Sequence, residues 1–239
     1  MGETTPMPSD IVYRIGSRLI SECLSLPVLG RILTDSSRIV HRYSAILQHL
    51  QALHFDAVID GGANIGEFAS LVRTSLPRAD LVCVEPQPQC ADILQARGFR
   101  VVRSALWDSK TTLTLCQTSP SLTSCSVMAP IAIDQGWKVS TIRLDEIPVT
   151  GTNILVKLDL QGAEMTALQG MDGLWPRCTA LLVEVSFGRG ASYEEISRLL
   201  LERQYCEYST VNEFFENGTV READKLWVKS EILEALRTR

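Results

Sequence analysis

The chain has 239 residues, enough for one large domain or for a core domain with an extension. Hydrophobic residues make up 45% of it, which supports a sizeable core and excludes global disorder. With 23 basic and 28 acidic residues the net charge is -5, and no basic block occurs, which argues against a polyanionic partner such as DNA or RNA.

Met1 to Asp10 is polar and lacks the apolar core of a signal segment. No run approaches the roughly 20 apolar residues of a membrane span. The seven cysteines (Cys23, Cys83, Cys90, Cys116, Cys125, Cys178, Cys206) are odd in number and form no C-x-x-C pair. That fits a reducing, cytoplasmic setting better than a disulfide framework. Ile11, Ile15 and Leu19 are spaced by four. After a break at Pro27–Gly30, the residues Ile39, Tyr43, Ile46, Leu47 and Leu50 mark one helix face, with Ser36 or Ser37 as its cap. Residues 1–54 are thus expected to form a helical extension, packed on the core or over a pocket, and residues 55–239 the main domain.

From residue 57 strands and helices alternate. Ala57–Asp60 reads as a strand, and Ile65, Phe68, Ala69, Val72 and Leu76 follow helical spacing up to Pro77. Leu81–Glu85 is a second strand. A helix from Pro88 to about Arg97 is closed by Gly98, and Phe99–Val102 is a third strand. Leu113 and Leu115 alternate with Thr112 and Thr114, as in an exposed or antiparallel strand. Residues 118–126 read as a Ser/Thr-rich loop, flanked by Trp107 and Trp137, and Ser140–Leu144 as a short strand. Ile154–Leu158 and Thr179–Val185 are buried strands separated by a helix over Ala163–Gln169. Ser192 opens a further helix through a capping box, and Asn217-Gly218 marks a hairpin. The pattern predicts an α/β fold with a doubly wound, mostly parallel sheet and a C-terminal antiparallel hairpin.

The first strand hands over to its helix through Asp60-Gly61-Gly62-Ala63-Asn64-Ile65-Gly66. This is not the G-x-G-x-x-G spacing of dinucleotide-binding loops. Gly62 permits a tight turn, Asn64 tolerates left-handed backbone, and Gly66 lets the helix start pack closely. The Asp60 carboxylate favours an ammonium or water and repels a pyrophosphate, so the loop reads as a pocket for S-adenosylmethionine. Glu85, at the second strand end, is placed to accept both ribose hydroxyls, although nicotinamide enzymes share such an acid. Ser104 and Ala105 would lie beside the adenine. Lys157-Leu158-Asp159-Leu160-Gln161-Gly162-Ala163-Glu164 falls at the carboxyl end of a buried strand, where open α/β sheets bind their ligands.

With these motifs the chain resembles the FkbM-type methyltransferases over roughly residues 57–186, and weakly through Val228. The family's D-x-G-A-N-x-G is matched by Asp60 to Gly66, and its K-I-D-x-E-G-x-E by Lys157 to Glu164 except at Gln161. An apolar strand with a Glu is matched by Leu181 to Val185, and D-x-x-[FW]-V by Asp224 to Val228. The resemblance implies a class I methyltransferase fold, S-adenosylmethionine as cofactor, and O-methylation of a small hydroxylated molecule such as a sugar or polyketide-type metabolite. Gln161 removes a charge that the family usually carries, which puts in question any catalytic or metal-binding part played there.

The cofactor contacts expected are Asp60, Gly61, Gly62, Ala63, Asn64, Gly66, Glu85, Ser104, Ala105 and Asp159. Asp159 is also expected to organise the acceptor, with Glu184 or Glu164 as base. No metal is assigned, although a divalent ion bridging such carboxylates would serve the same end. All three histidines, His41, His49 and His54, precede the first core strand and reach the pocket only if the lead-in folds over it. Two alternatives stand beside this reading: a non-catalytic cofactor- or partner-binding module, kept open by Gln161, and a nicotinamide-dependent oxidoreductase. Homo-oligomerisation through the lead-in helix is a further possibility.

Overall fold

The computed structural model describes residues 42–117, 125–126, 136–187, 193–233 and 236. The expectations for residues 11–41, including Ser36, Ser37 and His41, for most of the Ser/Thr-rich loop, and for the Ser192 cap lie outside them. Tyr43–Arg239 form one compact unit.

After the helical residues 42–50 (α1), the elements run β1 Ala57–Gly61, α2 Glu67–Ser75, β2 Asp80–Val84, α3 Pro88–Ala96 and β3 Arg100–Val102. A second group follows: β4 Ala105–Leu106, β5 Thr112–Gln117, β6 Cys125–Ser126 and β7 Gly136–Ile142. The chain then returns through β8 Ile154–Leu158, α4 Glu164–Gln169, β9 Cys178–Ser186, α5 Tyr193–Glu202, β10 Tyr205–Glu216 and β11 Thr219–Lys229.

The main sheet has seven strands in the order β10-β11-β9-β8-β1-β2-β3. Strands β3, β2, β1, β8 and β9 are parallel, while β11 runs antiparallel to both β9 and β10. The chain winds outward from β1 to β3 and starts again at β8 on the other side of β1. The carboxyl ends of β1 and β8 therefore flank the switch point where the two halves diverge, and a crevice opens there. β1 and β8 are buried along their whole length, as strands covered on both faces must be.

Alternation along the strands divides the core. Ile59, Val156, Leu181 and Val183 face α4 and α5, together with Leu168, Ile196 and Leu200. Val58, Leu155, Leu182 and Leu226 face the other way and pack on Phe68 and Val72 of α2 and on Leu47 and Leu50 of α1. Asp60 and Lys157 are neighbours in the same register, two residues beyond Val58 and Leu155, and so share this second face.

Three differences from the sequence reading bear on the site and on the second sheet. β2 stops at Val84, leaving Glu85 in the turn beyond it. β7 starts at Gly136, four residues before the expected strand, and pairs with β5 in a separate four-stranded sheet of order β4-β7-β5-β6. Cys125–Ser126, expected in a loop, pairs with β5 as β6. No described helix is long and apolar enough to cross a membrane.

Candidate active site

The loop after β1 is stitched to its neighbours. The Gly62 and Ala63 amides donate to the Val84 carbonyl at 3.0 and 3.2 Å, and the Asp159 amide donates to the Gly61 carbonyl at 3.2 Å. Gly62 has φ +70, and a Cβ there would come within 1.9 Å of the Asp159 carbonyl oxygen. The two loops at the switch point thus touch, and only glycine fits between them. Asn64 takes φ 51, the left-handed conformation expected of it.

A groove over this junction is lined by Gly62, Glu85, Ser104, Ala105, Asp159 and Gln161 among other residues. Five of the expected contacts are therefore brought together: Gly62, Glu85, Ser104, Ala105 and Asp159. Gly61, Ala63, Asn64 and Gly66 shape the loop without forming the groove wall. Asp60 lies fully buried behind it on the α2 face. Leu106 and Leu115, supplied by the second sheet, and Leu160 complete the wall. None of the three is among the expected contacts, because an apolar wall residue has no polar chemistry to mark it, even where, as for Leu160, it lies within a motif. Trp137 packs with Leu113 against the Ala105, Leu115 and Val139 cluster.

Glu85 is buried and accepts two backbone hydrogen bonds, from the Asn64 amide at 2.7 Å and the Gln87 amide at 2.8 Å. Burial raises its pKa, and these two donors pull it back. A carboxylate has about four lone-pair positions, so acceptor capacity remains at the groove.

At the end of β8, Lys157 is the central cation. Its Nζ donates to the Gly62 carbonyl at 3.3 Å and to Asp159 Oδ2 at 3.2 Å, and lies 3.6 Å from Asp60 Oδ1. Burial works against its charge, but Asp159, Asp60 and Asp224 outweigh that and hold its pKa above the ordinary value. Burial raises the Asp60 carboxyl pKa, and the Lys157 ammonium and the Ala69 amide offset this only in part.

Gln161, at φ 55, donates from Nε2 to Asp159 Oδ1 at 3.2 Å and to Glu184 Oε2 at 3.3 Å. An amide thus links two acids where the family pattern would add a third. Glu184, near the end of β9, is pushed well above the ordinary carboxylate range by burial, then by Asp159, Glu164 and Asp224. Asp224 lies beside it in register on β11. It accepts from the Tyr43 hydroxyl at 2.6 Å and from Asn212 Nδ2 at 2.9 Å.

Glu164 opens α4 and turns back onto its own loop. It accepts from the Leu160 amide at 2.6 Å and from the Gly162 amide at 3.1 and 3.2 Å. Burial lifts its pKa to about 7. The described histidines stay away from the groove: His49 stacks on Tyr208, and His54 bonds its own turn. Among the described residues no three His, Cys, Asp or Glu side chains converge as a metal site.

A family profile described as "Methyltransferase FkbM domain" matches residues 60–209. No curated protein matches the sequence. In fold, the chain is similar to magnesium protoporphyrin IX methyltransferase from Synechocystis PCC 6803 with bound SAM, at TM-score 0.53 and 11% identity, covering 85% of this chain and 84% of that one. A methyltransferase FkbM from Methylobacillus flagellatus KT is similar at TM-score 0.49 and 15% identity, over 73% of this chain and 44% of that one. The 1,6-didemethyltoxoflavin-N1-methyltransferase of Burkholderia thailandensis is similar at TM-score 0.46 and 14% identity, over 96% of this chain and 93% of that one. The mostly parallel central sheet with its helices matches the class I methyltransferase fold, and in this chain an antiparallel C-terminal strand pair completes it.

Proposed function

The chain belongs to the FkbM methyltransferase family, and from that premise we propose that it O-methylates a hydroxylated small molecule such as a sugar or secondary metabolite. S-adenosylmethionine is the methyl donor, and it supplies an electrophilic carbon on a good leaving group, so the protein's contribution is largely positioning. The residues present suit that donor. Gly62 leaves a cradle that any Cβ would fill. Glu85 keeps spare acceptor capacity for ribose hydroxyls, and Ser104 and Ala105 wall the groove beside it.

The observation that carries the hydroxyl reading is the connected line Asp159–Gln161–Glu184. A hydroxyl must lose its proton as the new C–O bond forms. Glu184 is a carboxyl whose pKa burial raises, which makes its carboxylate a stronger general base. Asp159, on the groove wall, accepts from Lys157 and Gln161 and orients the acceptor. Glu164, with its oxygens committed to the Leu160 and Gly162 amides, holds the loop in shape. The thiols of Cys83, Cys116, Cys178 and Cys206, which form no disulfide among the described residues, fit a reducing compartment such as the cytoplasm.

The test is product mass analysis after incubation with S-adenosylmethionine and a panel of hydroxylated compounds. Methyl addition at oxygen is expected. Glu184→Gln should lower kcat by about 10²–10⁴-fold while donor affinity by calorimetry stays within a few-fold. A product methylated at nitrogen or carbon, or full turnover by the variant, would refute the assignment.

A further inference from the structure

The turn between β2 and α3 holds a side chain that the site described above leaves unused. Gln87 is the N-cap of α3, in extended backbone before Pro88, and its side chain makes no capping hydrogen bond. Ser, Thr, Asp or Asn at this position bends back onto the first helical amides. The longer arm of Gln87 instead lines the groove, together with Glu85, Pro86 and Ser104. Gln87 is only 2% exposed, so the arm is packed into the wall.

Most polar atoms of this residue are committed. Its main-chain amide donates to Glu85 Oε1 at 2.8 Å, and its carbonyl accepts from the Ala91 amide at 2.9 Å. The Cys90 thiol donates to Oε1 of Gln87 at 3.2 Å, which leaves the Nε2 end of the side chain over. Nε2 is buried and has no hydrogen-bond partner among the described residues. Leaving a buried N–H donor unpaired is costly, and folded proteins pair nearly all of them. This one belongs to the wall of the groove, where a seated ligand can supply the acceptor.

We propose that Gln87 is a specificity-determining residue of the donor site: its Nε2 donates to a ribose hydroxyl oxygen of S-adenosylmethionine, and with Glu85 it makes the groove select a ribonucleoside. The inference rests on the reading of the groove as the donor site with Glu85 at the ribose. A hydroxyl both donates and accepts. One that donates to Glu85 keeps lone pairs on its oxygen, and an ionised carboxylate has no proton to offer them. Gln87 supplies the missing N–H from two positions along the same turn. The ring nitrogens of the purine also accept hydrogen bonds, but an adjoining carboxylate repels their lone pairs. The acid and the amide together match a group that gives and takes. A deoxy carbon in that place would strand both of them, so the penalty exceeds that of a single lost hydrogen bond.

Calorimetric titration of the full chain with S-adenosylhomocysteine, the demethylated donor, and with its 2′-deoxy and 3′-deoxy forms tests this. The wild type should bind one of the deoxy forms at least about tenfold more weakly than the parent ligand. Gln87→Met and Gln87→Leu remove the donor and keep much of the arm's bulk. Each should weaken binding of the parent ligand about three- to tenfold. For the deoxy form that lacks the hydroxyl met by Gln87, the variants should match the wild type within about twofold. Either variant alone suffices if the other does not fold, as judged by circular dichroism. Wild-type affinity for both deoxy forms equal to that for the parent would overturn the proposal, whatever the variants do. So would an unchanged affinity of the folded variants for the parent, or the same loss for all three ligands, since Gln87 would then shape the turn and touch no hydroxyl. Failure of the wild type to bind S-adenosylhomocysteine at all would instead refute the donor site itself, and the proposal with it.

Discussion

Single residues at the switch point are constrained by contact and by charge, and the two kinds differ in how far sequence reveals them. Gly62 and Asp159 were legible, because a tight turn at one strand tip and an acid at the next leave a local signature. Tyr43, Asn212 and Asp224 were not legible as a group. Tyr43 and Asp224 are separated by 181 positions, and only the fold brings them within 2.6 Å. Glu164, a candidate base by its place in the motif, accepts hydrogen bonds from the Leu160 and Gly162 amides. Its burial gives a pH signature. The folded-state pKa is about 7 against an ordinary 4.5, so between those values the folded chain keeps a proton that the unfolded chain has lost. Stability from this group is therefore complete below about pH 4.5 and is lost as pH rises through 7. Urea unfolding of wild type and Glu164→Gln across this range should show wild-type stability falling, relative to the variant, by about 3 kcal/mol. A difference that stays flat from pH 4.5 to 8 would mean that burial does not govern this carboxyl.

Among the elements, those with a strong period were the readable ones. Strands β1, β8 and β9 are apolar on both faces, and α2 buries Phe68, Ala69 and Val72 on one side, so their existence follows from composition alone. The second sheet was only half legible. β7 alternates exposed and partly buried positions over Gly136–Ile142, and its first half gains its partner only through β5. The face of α1 was also legible, and its packing gives it a measurable weight. Leu47 and Leu50 are each 1% exposed and share a cluster with Val58, Leu155 and Leu226. Leu50→Ala should cost about 2–5 kcal/mol of unfolding free energy. Gln48→Ala, on the exposed side of the same helix, should stay within about 0.5 kcal/mol. If the two substitutions proved equally mild, α1 would be an appendage and not part of the core.

At the scale of the whole molecule, the sheet order decides where chemistry can occur. Because β1 lies between β2 and β8, one loop comes from the half that supplies Glu85 and the other from the half that supplies Asp159 and Glu184. A ligand in this groove bridges the two halves at the carboxyl ends of the β1–β8 ladder, above the shared core. Binding should therefore act at two levels. Mass action raises global stability by about 2.7 kcal/mol at a donor concentration 100 times Kd. Local opening of the two loops is suppressed beyond that. The amides of Gly62, Ala63 and Asn64 bond to Val84 and Glu85, and those of Leu160 and Gly162 to Glu164. These bonds sit at the groove, where loops open without global unfolding. Hydrogen exchange with and without S-adenosylmethionine should show them slowing at least tenfold, while amides in β5 and β7 beyond the groove change little under conditions of local exchange. Protection confined to one loop would show that the ligand engages a single half, and the switch point would then lose its role as the binding site.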